Sequence, residues 1–193
     1  MSSSLNSRIA KPEPAAVALL PNPGRRRVLF MAGAASALLW QPLRAYASNA
    51  QVAGLRRWGS GEFRRFGFLV YEATLWAGDD PQRPPLALRL DYKREIEGKA
   101  IAAASVKEMR RFVADESLLQ RWGQQMQHIF PDVKPGDHLL GVHGSDGARF
   151  YQDGRLLGGI DSPGFADAFF AIWLDARTSA PELRAALLRS GEG

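Results

Sequence analysis

The chain has 193 residues, with 25 Lys and Arg against 20 Asp and Glu, and no cysteine, which excludes disulfides, thiolate nucleophiles and Cys-based zinc or iron–sulfur sites. Its formal charge of +5 sits at the front: Arg8, Lys11, Arg25, Arg26, Arg27 and Arg44, with the single acid Glu13, precede Ser48 and leave 19 basic and 19 acidic residues behind them. A balanced remainder has no net field to gather polyanions, so the overall basicity gives no support for nucleic-acid binding.

In chain order, Arg25-Arg26-Arg27-Val28-Leu29 places paired arginines and a spacer before the apolar run Phe30 to Trp40, the pattern of a twin-arginine export signal. Ala45-Tyr46-Ala47 supplies a small-x-small cleavage site, although an ordinary secretory signal also has a basic start. The expectation is a signal over 1–47, read by the twin-arginine export machinery, and a periplasmic domain over 48–193. An apolar run this short falls below the roughly 20 residues a bilayer core requires, so no stable membrane span is expected after cleavage.

The mature part is one domain's length. Phe66 to Trp76, rich in Phe, Val, Tyr and Leu, reads as one long strand bent at Gly67. Leu86, Leu88, Leu90 and Tyr92 alternate with polar or small residues, the period of a strand buried on one face. Ile101, Ser105, Met109, Phe112 and Val113 recur at helical spacing from about Gly98. A second helix is capped by Asp115, carries the stripe Leu119, Trp122, Met126, Ile129 and Phe130, and stops at Pro131.

Three short antiparallel strands, Leu139 to His143, Ala148 to Gln152 and Arg155 to Gly158, are expected around Ser145-Asp146-Gly147 and Asp153-Gly154, since Asp-Gly between apolar runs signals a hairpin. Ser162-Pro163 reads as the cap of an apolar helix from Phe165 to Leu174, and Pro181 opens a last helix. Strands and helices that segregate in this way give an α+β fold, an antiparallel sheet with a layer of helices on one face.

Little chemistry stands out on its own. His138 and His143 fall on opposite faces of one strand, and no metal site, phosphate-cradling loop, dinucleotide fingerprint or nucleophile elbow is present in the sequence, so neither metal nor cofactor is expected. Trp76, Trp122 and Trp173 read as core residues rather than ligand platforms.

The segment WGSGEFRRFGFLVYEATLW from Trp58 to Trp76, the LALRLDY strand, Lys107-Glu108-Met109, Lys134-Pro135-Gly136-Asp137, Asp153-Gly154 and the Phe169 to Leu174 helix resemble, in that order, the chalcone isomerase-like family. The resemblance implies a polar set in a cleft between sheet and helices. Arg64 or Arg65 stands at the family's substrate-pairing Arg, Tyr71 at a Thr position, and Tyr92 at its Tyr. Lys99 falls near the family's Asn and Ala171 or Phe170 near its helix hydroxyl, so the groups that would organise water are missing. By this resemblance the ligand set is Arg64, Arg65, Tyr71 and Tyr92. Phe68, Val70, Ile101, Met109, Phe169 and Ile172 are the expected apolar wall, around a small apolar acid or fatty-acid-like lipid. Two alternatives stay open: an intramolecular lyase or isomerase acting on a phenolic substrate, and an interaction module of the cell envelope.

Overall fold

The computed structural model describes residues 51–189, so the export signal and cleavage site expected within 1–47 lie outside the described residues. Six strands form one antiparallel meander in the order β1-β2-β3-β4-β5-β6: β1 (Arg56–Arg65), β2 (Phe68–Ala77), β3 (Leu86–Tyr92), β4 (His138–Gly144), β5 (Gly147–Gln152) and β6 (Arg155–Ile160). The described helices are α1 (Gly98–Met109), α2 (Glu116–Ile129), α3 (Phe165–Leu174) and α4 (Pro181–Leu187). They pack on one sheet face, giving the expected α+β architecture.

The strand expected over Phe66 to Trp76 begins at Phe68 instead, and a further strand, β1, precedes it. Phe66 (φ 51°) and Gly67 (φ 81°) both adopt left-handed backbone and form a two-residue turn whose twist matches the flanking strands. Gly67 was legible as a break, but a Phe in the left-handed region carries no sequence signal. Asp153 (φ 51°) and Gly154 (φ 76°) repeat this geometry between β5 and β6, as their Asp-Gly composition foretells.

Each element follows from local chemistry. Asp115 caps α2, its Oδ1 accepting from Leu118 N–H at 2.9 Å, and Leu119, Trp122 and Met126 fall buried on one stripe. The expected Ser162 cap is displaced: Gly164 (φ 76°) holds the N-cap position of α3, while Ser162 Oγ accepts from Trp122 Nε1–H at 2.8 Å. Lys134-Pro135-Gly136-Asp137 closes on itself through Lys134 N–H to Asp137 Oδ2 at 3.0 Å. The same turn pairs with both backbone groups of Tyr92, at 2.8 Å to Asp137 O and 3.0 Å from Gly136 N–H. A turn motif far along the chain thus clamps the end of β3.

The core lies between sheet and helices, where Phe130, Phe150, Phe165, Phe169, Phe170 and Trp173 make successive edge and stacked contacts with centroids 4.9–6.3 Å apart. The other sheet face carries charges, including Lys93–Glu72 at 2.7 Å and Arg89–Asp91 at 2.9 Å. His143 is buried on the helix side and stacks on Phe170 at 5.3 Å, whereas His138 faces the other way beside Trp76 and Arg89. Their odd spacing separates them as expected.

Candidate ligand-binding cavity

An aromatic row crosses the first three strands. Phe63 on β1 is registered with Tyr71 on β2, and Tyr71 with Tyr92 on β3; the rings stack at 4.9 Å and meet edge-on at 6.0 Å respectively. Between Phe63 and Arg64 the register slips, because Leu69 and Tyr71 oppose consecutive β1 residues and Val70 is left as the extra one. The bulge lets Val70 and Tyr71, neighbours in sequence, both reach the helix side.

Behind this row lies a cavity of about 280 Å³, just below the range of about 300–1,000 Å³ for small-molecule sites. Its sheet wall is Val70, Tyr71, Leu88, Leu90, Tyr92, Leu139 and Gly141; its helix wall comes from Ile101, Ala104, Ser105 and Glu108 on α1 and Phe169, Ile172 and Trp173 on α3. Ala100 and Ala104, one turn apart, leave space where longer side chains would fill it. Gly141 on β4 also lines the cavity, and it is closely packed on its own face, since a Cβ there would come within 3.3 Å of the Phe170 ring. The lining residues that reach solvent, Arg65, Ala100, Ala104 and Ser179, mark the mouth.

Few polar groups reach this apolar space. Burial raises the Tyr92 phenol well above its usual value, and the neighbouring Tyr71 pushes the same way. Burial likewise raises Tyr71, partly offset by its hydrogen bond with Trp173 and reinforced by the charge of Glu108. Both phenols therefore keep their protons at any physiological pH and present O–H donors. Trp173 Nε1–H donates to the Tyr71 hydroxyl at 3.0 Å, which leaves that hydroxyl's own proton free to point into the cavity. Among the described residues, the Tyr92 hydroxyl has no hydrogen-bond partner. Ser105 Oγ is committed to Ile101 O at 2.9 Å. Glu108, the one acid on the wall, is paired with Arg111 at 3.1 Å.

The two arginines separate cleanly. Arg65 shares its strand face with Phe63, lines the mouth, and forms no ion pair among the described residues. Arg64, expected in the ligand set, lies on the opposite face, binds Glu62 at 2.8 Å and does not line the cavity. Alternation within β1 decides this: Phe63 and Arg65 point to the helices, Glu62 and Arg64 away. Tyr71, Tyr92 and Arg65 are brought together. Val70, Ile101, Phe169 and Ile172 wall the cavity as expected, whereas Phe68 is 59% exposed at the hairpin and Met109 is buried in the core outside the cavity. Lys99 is exposed and paired with Glu97 at 2.8 Å, away from the cavity, and Ala171 does not line it.

Sequence reasoning missed Phe63, Ser105, Glu108 and Trp173. Trp173 is the instructive case, for it is both core and cavity wall, and only the folded proximity of α3 to β2 gives its indole a phenol to meet. Ser105 and Glu108 were within reach of the helical spacing of α1, being four and seven residues beyond Ile101 and so on the same face.

A profile of the family described as chalcone isomerase-like matches residues 59–189. The chain belongs to the chalcone isomerase-like family. This chalcone isomerase-like chain is 29% identical over 146 residues to an uncharacterised protein of Haemophilus influenzae, a match spanning 74% of this chain and 72% of that protein. Its fold is similar to the crystal structure of a fatty-acid binding protein of Arabidopsis thaliana, with a TM-score of 0.56 and 12% identity over 70% of this chain and 87% of that one. At that identity the likeness is one of fold.

Proposed function

We propose that this chalcone isomerase-like domain binds a medium- or long-chain carboxylate, with the chain in the cavity and the headgroup at its mouth. The observation that carries this reading is an apolar cavity of about 280 Å³ whose polar groups include Arg65 at the mouth and two protonated phenols, Tyr71 and Tyr92, within. A cation and neutral O–H donors complement an anion, and the pairing of Glu108 with Arg111 limits the one opposing charge. The apolar walls supply the affinity by burying methylenes, at about 0.8 kcal/mol each. The fold it shares with the Arabidopsis fatty-acid binding protein supports this reading.

Native mass spectrometry of the protein purified from cells tests it directly. A copurified adduct with the mass of a fatty acid, displaced by added decanoate, is the expected result. A protein free of adduct that also fails to take up saturated acids of any chain length overturns the proposal.

We also propose that residues 1–47 direct export, on the strength of Arg25-Arg26-Arg27-Val28-Leu29 and Ala45-Tyr46-Ala47. Changing the three arginines to lysine keeps the charge and removes the pair that the twin-arginine machinery reads. Periplasmic yield then collapses, whereas undiminished export assigns the chain to the ordinary secretory route.

A further inference from the structure

The β1–β2 turn projects two aromatic side chains that the core does not use. Phe66 is 87% exposed and Phe68 59% exposed, the two most exposed large apolar residues among those described. Phe66 also holds left-handed backbone (φ 51°), a conformation costly for a bulky residue, so neither packing nor backbone preference accounts for a Phe at this position. Two guanidiniums flank the pair: Arg65 lies 5.3 Å from the Phe66 ring centroid and Arg94 4.5 Å from that of Phe68. The other nearby cations are committed, Arg64 to Glu62 and Lys93 to Glu72, and among the described residues Arg65 and Arg94 form no ion pair, although Glu95 follows Arg94 in the loop.

We propose that this tip, Phe66-Gly67-Phe68 with Arg65 and Arg94, is a docking surface for an anionic lipid bilayer. Two aromatic side chains bury about 150–250 Å² each, well short of the roughly 1,000 Å² a specific protein interface requires. An interfacial membrane contact needs less: aromatic rings settle at headgroup depth, and basic residues beside them meet the lipid phosphates. Arg65 belongs to both the tip and the cavity mouth, and Val70 of the cavity wall lies two residues beyond Phe68. A bilayer that receives the tip therefore lies against the mouth. The docking surface stands whatever the cavity holds.

Co-sedimentation of the full chain with vesicles tests this, comparing phosphatidylcholine alone with phosphatidylcholine containing phosphatidylglycerol. The Phe66→Asn/Phe68→Ser variant, with Asn suited to left-handed backbone, is expected to partition roughly tenfold less onto the anionic vesicles. Added salt weakens wild-type binding. Because the chain has no cysteine, a single environment-sensitive fluorophore at Glu95→Cys, exposed beside Arg94, or at Gln125→Cys reports which side meets lipid, independently of any effect on folding. A blue shift at position 95 and none at 125 is the expected result. Equal shifts at both positions, no shift at 95, or a variant that sediments as the wild type does overturns the proposal, the last two pointing to a protein partner for the tip or to none.

Discussion

Replacing Arg65 by Ala, with Arg64→Ala as its partner control, separates a mouth cation from a surface ion pair. The two differ by one position on one strand, yet Arg65 lines the cavity and Arg64 is held by Glu62 on the far face. Because Arg65 is solvent-exposed at the mouth, its pairing with a carboxylate is screened, and its loss is expected to cost about 1–2 kcal/mol, roughly a 5- to 30-fold drop in affinity. Arg64→Ala is expected to change affinity less than about twofold. The cavity sets a second scale. At about 30 Å³ per water-sized group, a cavity of about 280 Å³ takes about nine methylene-sized groups. Affinity in a saturated series is thus expected to rise about fourfold per methylene up to an acid of roughly ten carbons and then to flatten. Isothermal titration calorimetry of wild type and both variants across the series measures both effects. Affinity independent of chain length, or equal losses in Arg64→Ala and Arg65→Ala, refutes the reasoning.

The two tyrosines are expected to part company. Tyr92→Phe, which removes a hydroxyl without a partner among the described residues, leaves the melting temperature nearly unchanged but weakens carboxylate binding by about 1 kcal/mol; Tyr71→Phe strands the Trp173 indole N–H and lowers stability by about 1–3 kcal/mol in denaturant titration. Burial holds the His143 imidazole below its ordinary value, with Asp167 at 3.6 Å opposing, so the unfolded chain binds the proton first as pH falls. Its contribution to stability is full above about pH 6.5 and declines below it, and thermal melts from pH 7 to 5 should fall less steeply for His143→Leu than for wild type. With Lys99 outside the cavity and Ala171 off its wall, the purified protein is expected to leave chalcone-to-flavanone closure at its uncatalysed rate, and stereoselective turnover abolished by Arg65→Ala would show the opposite.

Much of this protein is written locally. The alternation of Leu86, Leu88, Leu90 and Tyr92, the Asp115 cap, the Asp153-Gly154 turn and the apolar run from Phe165 to Leu174 each depend on neighbours within a turn or a strand pair, so period and turn chemistry were enough to place them. Motif order along the chain likewise pointed to the family. What local patterns do not carry is decided by contacts between distant residues. The turn at Phe66 and Gly67 had to be found in three dimensions, because a left-handed Phe runs against its own preference and is held there by the pairing of β1 with β2. That turn, with the bulge at Val70, brings Phe63 onto Tyr71, while alternation along β1, which the turn makes a strand of its own, sends Arg65 to the cavity and Arg64 to Glu62. The cavity itself is wholly tertiary, for its volume is the space that short side chains such as Ala100 and Ala104 leave between layers whose separation is set by the aromatic core.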